Sequence, residues 1–440
     1  MNTILGCIAD DFTGATDLAS ILARSGVPIN IRLGTPSMEC SVGDDPVAAF
    51  ATAPFEIIAL KCRTSPVKEA VSETRNALHW LQAQGARQFY WKYCSTFDST
   101  DQGNIGPVAE SLLQQLSADD AGKRQTVYCP AFPENGRSVY NSHLFVGTRL
   151  LSDSPMKDHP LTPMRNSNLL ALLEPQTTMA VGAIRRSTVR DGSDAIRRHL
   201  HSLAEQKIVH VVVDAIDMSD LRAIAEATID MPLITGGSAL ALHLPELYRQ
   251  RGWLNQSESI QAMPKTRNAS IVLSGSCSAM TRKQVARYCQ QVPSFQLDPL
   301  KLATENQLEQ AKRWLDTQNG HDSVMIYSTA APERVCATQE QLGRERGGEL
   351  VEKSLASLAV HACNNGVQRV VTAGGETSGA VVKALGVATL QVSQEIAPGV
   401  PWTFSRRQGE NVALALKSGN FGEEDFFERA LGMLNETPDQ

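Results

Sequence analysis

No Cys-x-x-Cys pair occurs anywhere in the chain, and its nine cysteines are scattered and odd in number, so neither a zinc site nor a disulfide framework is encoded. No run rich in Lys and Arg interrupts a net charge of −6, which argues against a nucleic-acid partner. No apolar run approaches the length of a membrane span and no secretory leader is evident, so a cytoplasmic chain without a membrane partner is expected. The sequence lacks Gly-x-x-x-x-Gly-Lys-Ser/Thr, which excludes a P-loop nucleotide site, and no Gly-x-Gly-x-x-Gly follows a strand-like run, which leaves a nicotinamide dinucleotide site without support. No His-x-x-x-His pair offers metal ligands, and there is no repeat of fixed period or low-complexity tract.

What is present is an ordinary globular balance, 42% apolar and 20% charged, in 440 residues, which is more than one core usually supports. Strand-like runs alternate with helix-like ones almost throughout, predicting an α/β fold of two domains with mainly parallel sheets. Strands are expected at Leu5–Ala9, Ile29–Leu33, Glu56–Leu60, Gln88–Lys92, Thr126–Cys129, Thr178–Val181, Val209–Val213 and Leu233–Thr235. A polar segment at 256–268 reads as a linker between a domain at 1–255 and a second α/β domain at 269–440, whose strands are expected at Ser270–Leu273, Ser323–Tyr327, Gln368–Thr372 and Val387–Gln391. The span Pro130–Asn166 resembles neither helix nor strand and is expected to cover the site as a lid.

The richest segment is ILGCIADDFTGATD, residues 4–17, where Asp10 and Asp11 fall between a buried strand and a helix expected from Ala15 after a turn at Thr13 and Gly14. At that edge of an open α/β sheet ligands bind, and two adjacent carboxylates there can hold Mg²⁺ or take a hydroxyl proton; the competing reading is a pair of helix N-cap acids. The loop KYCSTFDSTDQGNIG, residues 92–106, again follows a strand. Ser95 and Thr96 suit a polyol, Lys92 a carboxylate or phosphate, and Asp98 a hydroxyl proton, against the plainer reading of a hydroxyl-rich helix cap. Lys61 and Arg63 lie past another strand, and Asn135, Arg137, Asn141, His143, Lys157 and His159 supply donors for an anionic substrate in the lid.

The second half carries three small-residue loops after strands: LSGSCS with Ser274 and Ser276, AGGETSG with Gly374, Gly375, Glu376, Thr377, Ser378 and Gly379, and KSGNFG with Gly419. Small side chains at a strand-to-helix turn let backbone amides approach phosphates. One such loop is often only a tight connection, whereas three in one domain point to nucleotide phosphates.

These segments, with GNIGP, LFVGTRLL, MKDHPLTPM, VVDAID, TGGSAL and IAPGVPW in this order from Ile4 to Phe427, strongly resemble the four-carbon acid sugar kinases. Arg185–Ser202 and Asn319–Glu349 are the stretches that the resemblance leaves open. It implies an N-terminal domain that holds an acid sugar, a C-terminal domain that holds ATP, and a reaction in the cleft between them. It places Ser274, the loop Gly374–Gly379 and Gly419 against ATP, and Asp10, Asp11, Arg63, Lys92 and Asp98 on the sugar side. The reaction it implies is transfer of the γ-phosphoryl of ATP, with Mg²⁺, to the C4 hydroxyl of a four-carbon 3-oxo acid, Asp11 or Asp98 orienting the hydroxyl and Arg63 with Lys92 pairing the substrate carboxylate. Threonate or erythronate as substrate, a catalytically silent sugar-acid sensor, and a homo-oligomeric state stay open.

Overall fold

The computed structural model describes residues 2–36, 50–117, 125–158, 162–255, 263–318 and 320–435. They form two compact units, one built from residues 2–36 and 51–255, the other from Phe50 and the described residues between 263 and 435. Of the expected linker, 256–262 lies outside the described residues, while the end of it is bonded into the second unit: the Arg267 amide donates to Gln368 Oε1 at 2.8 Å and Arg369 Nε to Thr266 Oγ1 at 3.0 Å.

In the first unit the strands of the main sheet are β1 (Leu5–Ala9), β2 (Ile29–Leu33), β3 (Phe55–Ala59), β4 (Gln88–Lys92) and β5 (Thr126–Cys129). A small sheet of β6 (Arg137–Tyr140), β7 (His143–Val146) and β8 (Arg149–Leu150) follows, before β9 (Ala180–Ile184), β10 (Ile208–Val213) and β11 (Leu233–Gly236) complete the main one. Its order is β2-β3-β1-β4-β11-β5-β10-β9, all parallel. The continuous apolar run LGCIA suits a parallel strand covered on both faces, and all five residues of β1 are buried. From β1 the chain passes to one side of the sheet, to β2 and β3, and from β4 to the other. The switch point, where an open sheet parts its loops into a crevice, therefore lies between β1 and β4.

The second unit has β12 (Ser270–Ser274), β13 (Ser294–Gln296), β14 (Ser323–Tyr327), β15 (Arg369–Ala373), β16 (Thr389–Ala397), β17 (Val400–Arg407) and β18 (Glu410–Lys417), in the order β13-β14-β12-β15-β18-β17-β16. Its switch point lies between β12 and β15 by the same rule. The strands β16, β17 and β18 pair antiparallel, an addition to the expected parallel set. Trp402, Phe404, Phe426 and Phe427 are buried together beneath them, and Trp402 Nε1 donates to Ala430 O at 2.9 Å, tying the final helix Phe426–Asn435 to the sheet.

Two expectations are corrected here. The helix after β1 starts at Phe12, not Ala15: the Asp11 carboxylate accepts from the Gly14 amide at 2.6 Å, so Thr13 and Gly14 form the capped first turn of the helix Phe12–Ala23. The span 130–166, where described, is not structureless, since it contains the antiparallel sheet β6-β7-β8. The turn between β6 and β7 puts Asn141 and Ser142 both at positive φ, 50° and 61°, and the buried Asp214 carboxylate accepts their amides at 2.8 Å each.

Candidate active site

Register brings the sequence-distant acids and cations of the first unit to one edge. Ala9 pairs with Ala59 on one side and Lys92 on the other, and Gly236 pairs with Lys92, so the loops starting at Asp10, Leu60, Tyr93 and Gly237 leave the same rung of the sheet. Arg63 grips Asp10 with both edge nitrogens, Nε to Oδ2 at 2.7 Å and Nη2 to Oδ1 at 2.9 Å, and its Nη2 also lies 2.9 Å from Asp11 Oδ2. Its Nη1 faces Asp98 Oδ2 at 3.9 Å. Asn104 Nδ2 holds the Arg63 loop by donating to Cys62 O at 2.6 Å and Ser65 O at 2.8 Å.

Burial first, and then the charge of Asp10, push the Asp11 carboxyl above its ordinary value, against Arg63, Lys92 and the Gly14 amide. Burial opposes the Arg63 charge, but the charge and hydrogen bonds of Asp10 and the charge of Asp11 outweigh it and hold the guanidinium above its ordinary value. Lys92 is buried with Nζ donating to Tyr93 O at 2.8 Å, and a Cβ placed on Gly14 would stand 3.3 Å from that nitrogen and 2.7 Å from Asp11 Oδ1. Glycine at 14 thus leaves room for an ammonium beside the two carboxylates.

Thr96 Oγ1 donates to Asp98 Oδ1 at 2.6 Å and lies 3.0 Å from Cys94 Sγ, so the buried Thr96 orients Asp98. Ser95 is half-buried at the turn between them. Arg137 stands apart on β6, its Nη1 donating to Asn135 O, and His143 Nδ1 pairs with Asn141 O at 2.9 Å; His159 lies outside the described residues. The structure thus joins Asp10, Asp11, Arg63, Lys92 and Asp98, while the side chains of Arg137 and His143 bond to the nearby carbonyls of Asn135 and Asn141. The signal for this cluster was the strand-end position of each member. The pairing of Arg63 with Asp10 had none.

Asp10 and Asp11 do not fit the expected Mg²⁺ site. Each of their four carboxylate oxygens already faces a donor, three of them the Arg63 guanidinium and one the Gly14 amide. A divalent ion would compete with a fixed cation for the same oxygens, and among the described residues no group of three or more His, Cys, Asp or Glu side chains is placed to hold a metal.

The second unit holds a cavity of about 350 Å³. Ser274 pairs with Tyr327 and Ala373, and Ala373 with Lys417, so the three small-residue loops leave one sheet edge and meet. Of the residues expected against the nucleotide, Ser276, Gly374, Gly375, Glu376, Thr377 and Gly419 line the cavity. Ser274, Ser378 and Gly379 are not part of the lining: Ser274 Oγ is buried 2.7 Å from Thr329 Oγ1, and Ser378 Oγ donates to Gly374 O at 2.8 Å. Both serines brace the loops from behind.

The far wall was not foreseen. Gln296, Leu297, Arg334, Thr338, Val351 and Glu352 line it, drawn from elements that fold over the three loops, with Arg334 Nη2 donating to Asp298 Oδ2 at 2.7 Å. Arg334 and Thr338 of this wall fall in Asn319–Glu349, a stretch that the resemblance left open.

Residues 5–244 match the family model described as a sugar-binding N-terminal domain, and residues 271–427 the one described as a nucleotide-binding C-terminal domain. The class is therefore a two-domain protein pairing a sugar-binding with a nucleotide-binding half. The chain is 48% identical over 433 residues to a protein named 3-oxo-tetronate kinase from Pseudomonas fluorescens, covering 98% of this chain and 97% of that one. A second of that name, from Burkholderia multivorans, is 46% identical over 435 residues, with the same coverage of both chains. The chain belongs to the four-carbon acid sugar kinase family. Among solved structures, a Haemophilus influenzae protein matches with a TM-score of 0.82 at 41% identity, covering 98% of this chain and all 100% of that one. A Salmonella typhimurium protein matches with a TM-score of 0.85 at 38% identity, covering 97% and 98%.

Proposed function

We propose that the chain is a 3-oxo-tetronate kinase that transfers the γ-phosphoryl of ATP to the C4 hydroxyl, giving the 4-phosphate and ADP. The observation that carries the reading is the near-complete match, over 98% of the chain, to proteins of that name. Phosphoryl transfer asks a protein for positioning and charge neutralisation more than for covalent chemistry. Mg²⁺ would accompany the ATP phosphates and neutralise their charge.

In this reading Asp11 accepts the C4 hydroxyl proton, since burial and Asp10 hold its carboxyl above the ordinary range, nearer to that of a working base. Arg63 aligns the two carboxylates, and its Nη1 edge is left for a substrate oxygen. Lys92 supplies positive charge for the substrate carboxylate, and Asp98, set by Thr96, completes the polar wall. ATP occupies the 350 Å³ cavity, with its phosphates toward Ser276, Gly374, Gly375 and Gly419.

A coupled ADP-release assay over D- and L-3-oxo-tetronate, threonate, erythronate and the neutral sugar erythrulose tests this directly. The highest kcat/KM is expected for a 3-oxo acid; turnover of erythrulose equal to that of the acids would refute the carboxylate reading.

A further inference from the structure

Lys417 ends β18 with its side chain fully buried, and the partners of its ammonium are oxygens of uncharged groups. Nζ donates to Gly419 O at 2.7 Å, Ser418 O at 3.0 Å and Thr281 Oγ1 at 3.1 Å, over the face of the Phe426 ring. Thr281 Oγ1 in turn donates to Gly419 O at 2.6 Å, and Gln284 Nε2, one turn along the helix Ala279–Tyr288, donates to the carbonyls of Phe421 and Glu423 at 3.0 and 2.8 Å. The carbonyls of the loop after β18 are thus drawn inward onto one cation and one helix. Burial lowers the ammonium to about 7, and the hydrogen-bond partners given for it are the loop carbonyls and the Thr281 hydroxyl.

A trans peptide points its N–H opposite to its C=O. With the carbonyls of Ser418 and Gly419 turned toward Lys417, the amides of Gly419 and Asn420 point away from it. Gly419 lines the cavity beside Ser276, and a Cβ there would come within 2.8 Å of Ser276 Oγ, so the bare backbone is what the site presents. We propose that Lys417 is a positioning residue for nucleotide binding, fixing the Ser418 and Gly419 peptides so that the amides of Gly419 and Asn420 act as donors to the phosphates. It works from behind the loop, unlike the lysine of a P-loop, which reaches the phosphates itself. The inference rests on the reading of the second unit as the ATP site.

The test is calorimetric titration of the full chain with ATP, ADP and adenosine, for wild type, Lys417→Met, Thr281→Val and Thr281→Ser. Lys417→Met should weaken ATP and ADP by about tenfold or more while adenosine stays within about twofold, because only the phosphate donors are disturbed. Thr281→Val should follow in the same direction, and Thr281→Ser, which restores the hydroxyl, should recover binding. Unchanged ATP affinity in a folded Lys417→Met variant overturns the proposal, as does an equal loss for ATP and adenosine, which marks a merely structural lysine. If Lys417→Met fails to fold, the Thr281 pair decides by the same criterion. Wild type that binds none of the three ligands instead overturns the ATP reading itself, and this inference falls with it.

Discussion

Asp11 does two jobs with two oxygens: Oδ1 caps the first helix through Gly14, and Oδ2 meets Arg63. Asparagine caps as well as aspartate but has no charge and little basicity. Asp11→Asn is therefore expected to lower kcat by roughly 10²- to 10⁴-fold with little change in melting temperature, measured by ADP release and thermal unfolding side by side. Near-normal turnover would leave Asp11 as a cap alone. Arg63 behaves differently, because Asp10 is buried and both its oxygens rest on that guanidinium. Arg63→Ala should cost about 3 kcal/mol of stability by stranding a buried carboxylate, and Asp10→Ala in the same chain should restore part of it, as urea unfolding would read. A rise in KM alone, with stability intact, would contradict the ion-pair geometry.

At the scale of elements, the strands that run straight through the cores were legible because a parallel strand covered on both faces must be largely apolar, as LGCIA is throughout and IVHVVV is except at His210. The β6-β7 hairpin was not legible. Its turn residues, Asn141 and Ser142, lack the glycine that two positive-φ positions ordinarily favour, and the acceptor that holds their amides, Asp214, comes 72 residues after Ser142. Another long-range contact gives the first unit an acid limit. His210 on β10 is buried with Nδ1 2.9 Å from Tyr128 OH on β5 and Nε2 4.0 Å from Glu110, and burial, opposed by Glu110, lowers its value from 6.5 to about 4. Between those two values the unfolded ring binds a proton that the folded ring does not, so stability falls as pH drops from 6.5 toward 4 and is level above. The loss is on the order of 3 kcal/mol, and His210→Phe should flatten that part of a denaturation series across pH. An identical pH slope in wild type and variant would remove His210 as the cause.

For the whole molecule, the division of labour between the two units predicts separable binding. Gly375 lines the cavity at the start of the helix Gly375–Ala384, so Gly375→Val should fill space meant for nucleotide and weaken ATP by about tenfold or more, leaving affinity for the sugar acid unchanged. Parallel loss of both ligands in titrations of the variant would show that the sites are not independent. Among the described residues no helix is long and apolar enough to cross a membrane.

The sequence alone determined which segments are buried strands and that acids and small residues stand at strand ends; these are properties of local patterning, where side-chain period and turn chemistry act within a few residues. Tertiary structure decided the rest. Register alone placed Arg63 on Asp10, 53 residues away, and so set a guanidinium against the oxygens of the expected metal site. It also sent Ser274 and Ser378 behind the loops they brace, and gave the cavity a far wall from segments with no motif of their own. The physical reason is the same in each case: charge pairing and cavity shape depend on distances across the sheet, which the order of residues along the chain does not encode locally.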